Sequence, residues 1–198
     1  MKKAHLLFYL LLLECYPIYG QYGYLEEGVG GGTHFSAKVG FGGVIKKVNN
    51  FSLSMYYLSR RSNNAPADYH PGLVFFGDGR PQTITELICP MYGKVFYMAN
   101  SNSRFVVKGG LAIGSVINPV NFVPAHSTSW LYLGPNYIYS TNTDITAGIV
   151  LNPSIELPVC RVFGLSFGMY CVFTSKSSSI GLEGNILLGV VRNKKRNL

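Results

Sequence analysis

Few side chains in this chain are placed to do chemistry, and their spacing is poor for it. His126-Ser127-Thr128-Ser129 is the one stretch that sets a histidine beside hydroxyls, as an activated serine requires. No acid stands near it in sequence to orient the imidazole, so it reads as a polar loop. His70, within Asp68-Tyr69-His70-Pro71, reads as a turn residue, and His34 adjoins the run Gly30-Gly31-Gly32. Histidines scattered in this way make no metal site. Gly77-Asp78-Gly79 reads as a tight turn, because a calcium loop would bring further carboxylates. Cys89, Cys160 and Cys171 are odd in number and lack paired spacing. They are expected as thiols in apolar surroundings, with a single disulfide as the alternative. No catalytic residue, cofactor or metal is expected.

What remains is the charge, and its placement is informative. The 198 residues are 47% hydrophobic, 14% aromatic and only 13% charged, with 23 glycines. That excludes a disordered chain, which would be rich in charge and poor in aromatics. Lys38, Glu86, Lys94, Arg104, Lys108, Glu156 and Glu183 all fall within segments of period-two alternation, the pattern of β-strands. Residues 163 to 173 show it best, with Phe163, Leu165, Phe167, Met169, Cys171 and Phe173 on one face. Gly164, Ser166, Gly168, Tyr170 and Val172 occupy the other. On this reading each of the seven charged residues lies opposite the large apolar side chains, and none lies among them. In β-segment 86–97, for example, Leu87, Cys89, Met91, Val95 and Tyr97 form the apolar face against Glu86, Tyr92 and Lys94.

The strands that must position these charges number eight: about 34–42, 51–57, 86–97, 104–114, 131–139, 144–157, 163–173 and 180–190. Polar pairs at Asn49-Asn50, Ser101-Asn102, Thr141-Asn142 and Ser177-Ser178 mark short turns. Longer connections at 62–82 and 118–129 are rich in Pro, Asn and Gly. Ahead of the strands, Met1-Lys2-Lys3-Ala4-His5 and the run Leu6 to Leu13 have the form of a secretory signal peptide, too short to span a bilayer as a helix. Cleavage is expected after Gly20, with lipidation at Cys15 as a rival reading disfavoured by Glu14. The expected division is therefore signal peptide 1–20, flexible lead-in 21–32, barrel 33–191 and basic tail 192–198. Loss of Lys2, Lys3 and Glu14 lowers the formal charge of +8 by one. Export and the thin spread of basic residues exclude nucleic acid as a partner.

The composition of the polar face decides which kind of β protein this is. A soluble sheet would cover that face with Lys, Glu, Thr and Arg. Here it is mostly Gly, Ser, Tyr and Asn with a few charges of both signs, which suits the crowded interior of a small closed barrel. An apolar outer band over a polar interior is the pattern of a transmembrane β-barrel, in which closure pairs every backbone group. The expected fold is all-β, a closed antiparallel up-and-down transmembrane β-barrel of about eight strands. Its seven charged residues are expected to form an interior charge network, with Lys38 and Glu183 approaching where the barrel closes.

In its signal peptide, strand count, dyad pattern and Tyr/Phe-rich strand ends, the sequence resembles the small, porin-like eight-stranded outer-membrane β-barrels of Gram-negative bacteria. The resemblance covers roughly residues 33–191. It implies an integral outer-membrane protein, monomeric, whose partners are outer-membrane lipids and the outer-membrane assembly machinery. A structural or interaction role without an open pore follows, since eight strands enclose a space that side chains just fill. Two departures stand out. Many such barrels end on an aromatic residue, whereas this one ends Val190-Val191-Arg192 and a basic tail. Connections 62–82 and 118–129 would also fall at the end carrying the termini, where they could pack under the barrel. Some barrels of this kind are lipid-modifying enzymes. His126-Ser127-Thr128-Ser129 is only faintly similar to the His-x-Ser-Asn element of lipid A deacylases, because Thr128 replaces the serine and Ser129 the asparagine. The alternative is a secreted lipocalin-like barrel holding a small apolar ligand, with Phe163, Phe167 and Leu111 pointing inward.

Overall fold

The computed structural model describes residues 22–72, 79–98, 103–125 and 134–192. Eight strands follow one another: β1 (Tyr22–Gly32), β2 (Phe35–Ile45), β3 (Asn49–Arg61), β4 (Gln82–Tyr97), β5 (Arg104–Pro124), β6 (Tyr137–Pro158), β7 (Phe163–Thr174) and β8 (Ser178–Val190). Each pairs antiparallel with its sequence neighbour, and β1 pairs with β8, so the sheet closes into an up-and-down barrel. Closure leaves no free edge. No helix among the described residues is long and apolar enough to cross a membrane, which says nothing of crossing by strands.

The count of eight strands stands, but two of its members differ from expectation. Residues 22–32 are not a flexible lead-in; they are β1, hydrogen-bonded to β2 on one side and β8 on the other. Its glycines are demanded by packing. A Cβ at Gly28 would collide with the Asn185 side chain across the β1–β8 pair. Of the strand expected over 131–139, residues 131–133 lie outside the described residues, and Tyr137 and Tyr139 open β6, which runs unbroken through the expected turn at Thr141-Asn142. Strand β5 likewise continues through 118–124, pairing with β6 across a bulge between Val120 and Val123.

Adding β1 reverses the placement of the long connections. The start of β1, the end of β8, the β2–β3 turn, the end of β4 with the start of β5, and the β6–β7 connection share one end of the barrel, here the terminal end. The described parts of the β3–β4 and β5–β6 connections, 62–72, 79–81, 125 and 134–136, lie at the opposite, loop end, away from the start of β1 and the end of β8. They are joined there: Asn136 donates to the Asp68 carbonyl, His70 donates its amide to Asn136, and the Tyr137 hydroxyl donates to the Asp68 carboxylate. Tyr69 is buried beneath this joint against Phe122 and Tyr137. The stretches 126–129 and 77–78, which contain the His–Ser cluster and most of the Gly-Asp-Gly turn, lie outside the described residues.

The outer wall is apolar on every strand. Val29, Phe35, Leu53, Ile88, Ile113, Ile149, Phe167 and Leu182 are among its exposed residues. Leu111 and Phe167 are 58% and 56% exposed, so the lipocalin-like arrangement with an inward apolar cavity is not the one adopted.

Candidate functional site

Inside the barrel the side chains form three layers. Nearest the terminal end, Tyr22, Val44, Val95 and Val106 make an apolar floor, with Tyr24, Leu187 and Val191 beside it. Toward the loop end, Tyr56, Leu58, Leu87, Cys89, Met91, Ala112, Val150, Tyr170 and Val172 form a larger apolar layer. Between the two lies a layer of buried charge.

Lys38 on β2 holds the centre of that layer. Its Nζ lies 2.7 Å from Glu26 Oε1 on β1 and 2.8 Å from Glu183 Oε1 on β8. The other Glu26 oxygen accepts from Lys108 Nζ on β5 at 3.1 Å. Asn152 and Asn185 each donate to Glu183 Oε1, at 2.9 and 3.2 Å. Two carboxylates thus face two ammonium groups, and the cluster is neutral. Lys38 also lies 5.5 Å from the ring centre of Tyr56, where the loop-side apolar layer begins.

A second, smaller cluster stands nearer the floor. Arg104 Nε lies 2.6 Å from Glu156 Oε2 across the paired strands β5 and β6. Tyr24 donates its hydroxyl to Glu156 Oε1 at 2.7 Å and accepts from Asn50 at 3.1 Å. The guanidinium covers the rings of Tyr22 and Tyr24 at 5.0 and 5.6 Å and donates to the Val191 carbonyl at 3.2 Å. Room for the Tyr24 ring comes from Gly42, where a Cβ would lie 2.6 Å from Cε2 of that ring. All six charged side chains of the two clusters are at most 1% exposed. Taking such groups from water is costly, and pairing with opposite charge is what offsets it, although Glu183 Oε2 and Arg104 Nη2 are buried without a hydrogen-bond partner.

Of the seven residues expected in the interior, the structure brings Lys38, Arg104, Lys108, Glu156 and Glu183 together and leaves Glu86 and Lys94 out. Both are exposed on the outer face of β4, whose phase is the reverse of the expected one. Leu87, Cys89, Met91 and Val95 point inward, and Ile88, Tyr92 and Phe96 point outward. The two faces of β4 are almost equally apolar, so alternation alone does not orient it. Glu86 lies near the loop end of the strand, and Lys94 near the terminal end donates to Asn49 at 2.7 Å. At either position a charge can reach a polar boundary, as barrel rims allow. The outer face is therefore not free of charge, and Glu27 midway along β1 adds a third exposed residue to it.

Glu26 was missed because the segment carrying it was read as a lead-in. The alternation Tyr22, Tyr24, Glu26 against Leu25, Glu27 and Val29 was the available signal. Of the other groups, His34 is buried beside Thr33, with Nδ1 3.0 Å from its hydroxyl. Cys89, Cys160 and Cys171 are free thiols. Among the described residues no three His, Cys, Asp or Glu side chains gather as metal ligands.

The closed eight-stranded barrel is a fold shared with solved structures. The N-terminal β-barrel domain of Pseudomonas aeruginosa OprF is similar, with a TM-score of 0.56 at 10% identity, covering 84% of this chain and 96% of that one. Two more distant matches are Ail, the attachment invasion locus protein of Yersinia pestis, and Neisserial surface protein A. Ail in complex with the heparin analogue sucrose octasulfate gives a TM-score of 0.41 at 7% identity, covering 84% and 92% of the two chains. For the Neisserial protein the values are 0.39 at 13% identity, covering 86% and 93%. No family model and no curated protein matches the sequence.

Proposed function

We propose that this protein is an integral outer-membrane β-barrel with a structural or interaction role, without an open pore and without enzymatic activity. The observation that carries the reading is the inversion of the sheet. Large apolar residues cover the outer wall of all eight strands, while the buried charge lies inside. In water that wall would be an exposed apolar surface far beyond what a soluble monomer tolerates. In a bilayer it is the matched solvent. Aromatic residues at the strand ends, Phe51 with Tyr92 and Phe96 with Phe105 at the terminal end, suit the interfacial girdles of such barrels.

The role without a pore is supported by the filled interior, since floor, charge layer and loop-side layer leave the lumen to side chains. A signal peptide cleaved after Gly20 delivers the chain, the assembly machinery of the outer membrane inserts it, and it stands there as a monomer surrounded by outer-membrane lipids. Membrane fractionation of cells expressing the full chain tests this. Retention in the carbonate-washed outer membrane, heat-modifiable gel migration and no steady conductance in planar bilayers are expected. Recovery as a soluble monomer without detergent would overturn the membrane reading, and stable open channels would overturn the closed lumen.

A further inference from the structure

The charge that remains once the interior is paired off is not spread evenly over the two ends. At the terminal end, Lys46 and Lys47 form the β2–β3 turn, Lys94 projects from β4, Arg161 lies in the β6–β7 connection and Arg192 follows β8. Arg192 is half-exposed and the other four are exposed. They fall in two groups on that rim, Lys46, Lys47 and Lys94 about the β2–β3 turn, where Asn49 pairs with Lys94, and Arg161 beside Arg192, where the Val191 amide donates to the Arg161 carbonyl. Among the described residues no exposed carboxylate stands at that end. Asp68, Glu86 and Asp144 lie toward the loop end, where they accompany Arg60, Arg61 and Lys176. Lys94 donates to the Asn49 amide oxygen and lies over the Tyr92 ring, both neutral groups.

The turn between β2 and β3 supplies a second, independent observation. Val48 donates to the Ile45 carbonyl at 3.3 Å, closing a two-residue hairpin loop. Its two central residues have φ of 52° and 60°, the left-handed values of a type I′ turn. Asn-Gly is the sequence that suits such a turn, because glycine meets no steric penalty there and asparagine little. This chain puts two lysines in it instead. Backbone strain kept at a turn whose two lysines are exposed points to a use outside the barrel.

We infer that the terminal-end rim is a docking surface for the anionic headgroups of the adjoining phospholipid leaflet, of the phosphatidylglycerol class. The two groups stand level with the Phe51–Tyr92 and Phe96–Phe105 pairs, with Lys94 between Tyr92 and Phe96 on the outer face of β4, which suits the depth where headgroups meet a spanning barrel. Lysine and arginine at that depth are attracted to a negatively charged leaflet over about a Debye length. Exposed, flexible ammonium groups suit a fluid array of phosphates better than a single fixed ligand. This inference rests on the membrane-spanning reading above.

The test uses the full chain in phosphatidylcholine vesicles, with insertion checked first by heat-modifiable migration. Spin-labelled phosphatidylglycerol and spin-labelled phosphatidylcholine are then compared for the fraction held immobile against the protein. At low salt the wild type is expected to hold the anionic label several-fold more strongly than the neutral one. The Lys46→Asn/Lys47→Gly/Lys94→Gln/Arg161→Gln variant should bring that ratio close to one, and so should salt raised to about 0.5 M. The first two changes relax the turn, so the variant is expected to fold at least as well, which separates lost selectivity from lost structure. Equal retention of both labels by the wild type, or undiminished selectivity in the variant, would overturn the proposal. Co-sedimentation with peptidoglycan in place of lipid selectivity would overturn it in favour of a cell-wall partner. Failure to insert into any vesicle would overturn the membrane-spanning reading and this inference with it.

Discussion

The charged layer and the loop-side apolar layer fill the same lumen on different terms. In the charged layer every ion is held by another: Glu26 takes both Lys38 and Lys108, Glu183 takes Lys38, and Glu156 takes Arg104. In the apolar layer, Leu58, Leu87, Cys89, Met91 and Val150 pack with two tyrosines and need no such matching. The difference teaches where specificity lies. Apolar packing tolerates exchange of one residue for another of similar volume, whereas a buried ion tolerates only its partner. Six ions drawn from β1, β2, β5, β6 and β8 can be satisfied together in one register of the sheet. The charged layer therefore fixes strand pairing, and the apolar layers above and below exclude the water that would weaken it.

The sharpest way to break this comparison is to remove its central carboxylate. Glu26→Ala removes the carboxylate that Lys108 pairs with and leaves Lys38 with Glu183 alone. A loss of about 3–5 kcal/mol in the barrel's resistance to denaturant is expected, the usual cost of breaking a buried pair. Glu183→Ala should cost less, because Lys38 keeps Glu26. Glu27→Ala, one residue along but on the outer wall, should be neutral or stabilising. Urea titrations of the three variants in the same detergent give the ranking, and equal losses at positions 26 and 27 would dissolve the distinction between inside and outside on β1.

The next largest effect probes β4, the strand that belongs wholly to the apolar side. Leu87→Ala opens a cavity in the loop-side layer and is expected to cost about 2–5 kcal/mol. Ile88→Ala, facing outward, should cost far less in the same titration. The reverse order would restore the phase that alternation predicts for β4.

That strand also shows why part of the molecule was legible in the sequence and part was not. On β7 the alternation is clean, Phe167 outward and Ser166 inward, because one face is large and apolar and the other small and polar. On β2, β5, β6 and β8 a charge marks the inner face, and Lys38, Lys108, Glu156 and Glu183 were readable from it. β4 gives neither signal, since its inner neighbours across the lumen are apolar and its charges reach the rims. β1 was hidden for another reason. Its inner face is built from Gly28 and Gly30 beside Glu26, and glycine reads as flexibility until the Asn185 side chain that fills the space is known. With β1 hidden, Glu26 could not be found, and the long connections fell at the wrong end.

A smaller effect sharpens the outer boundary of the comparison. Phe167→Arg places a guanidinium on the lipid-facing wall near the middle of β7, and about 2–4 kcal/mol is the cost at such depth. Folding yield into phosphatidylcholine vesicles, set against yield in detergent micelles, isolates the lipid contribution. A variant that loses nothing in vesicles would mean that this stretch of wall does not face acyl chains.

The smallest expected effect lies above the apolar layer, at the β1–β2 turn. His34 is 2% exposed there, its backbone carbonyl accepting from the Tyr170 hydroxyl at 2.8 Å. Burial holds the imidazole below its ordinary value of 6.5, and the charge of Arg60 adds to the shift. Below that value the unfolded chain binds a proton that the folded barrel resists, so acid favours unfolding. The contribution of His34 is present in full above pH 6.5 and declines as pH falls through the depressed folded-state value. His34→Gln should therefore flatten the fall in urea midpoint between about pH 8 and about pH 5, the interval in which histidine is the side chain that titrates. Because the turn is separated from the charged layer by the apolar one, the variant should leave the denaturant cost of Glu26→Ala unchanged. An unaltered pH slope in His34→Gln would assign the acid sensitivity to other groups. A changed cost for Glu26→Ala would show that the apolar layer does not insulate the two.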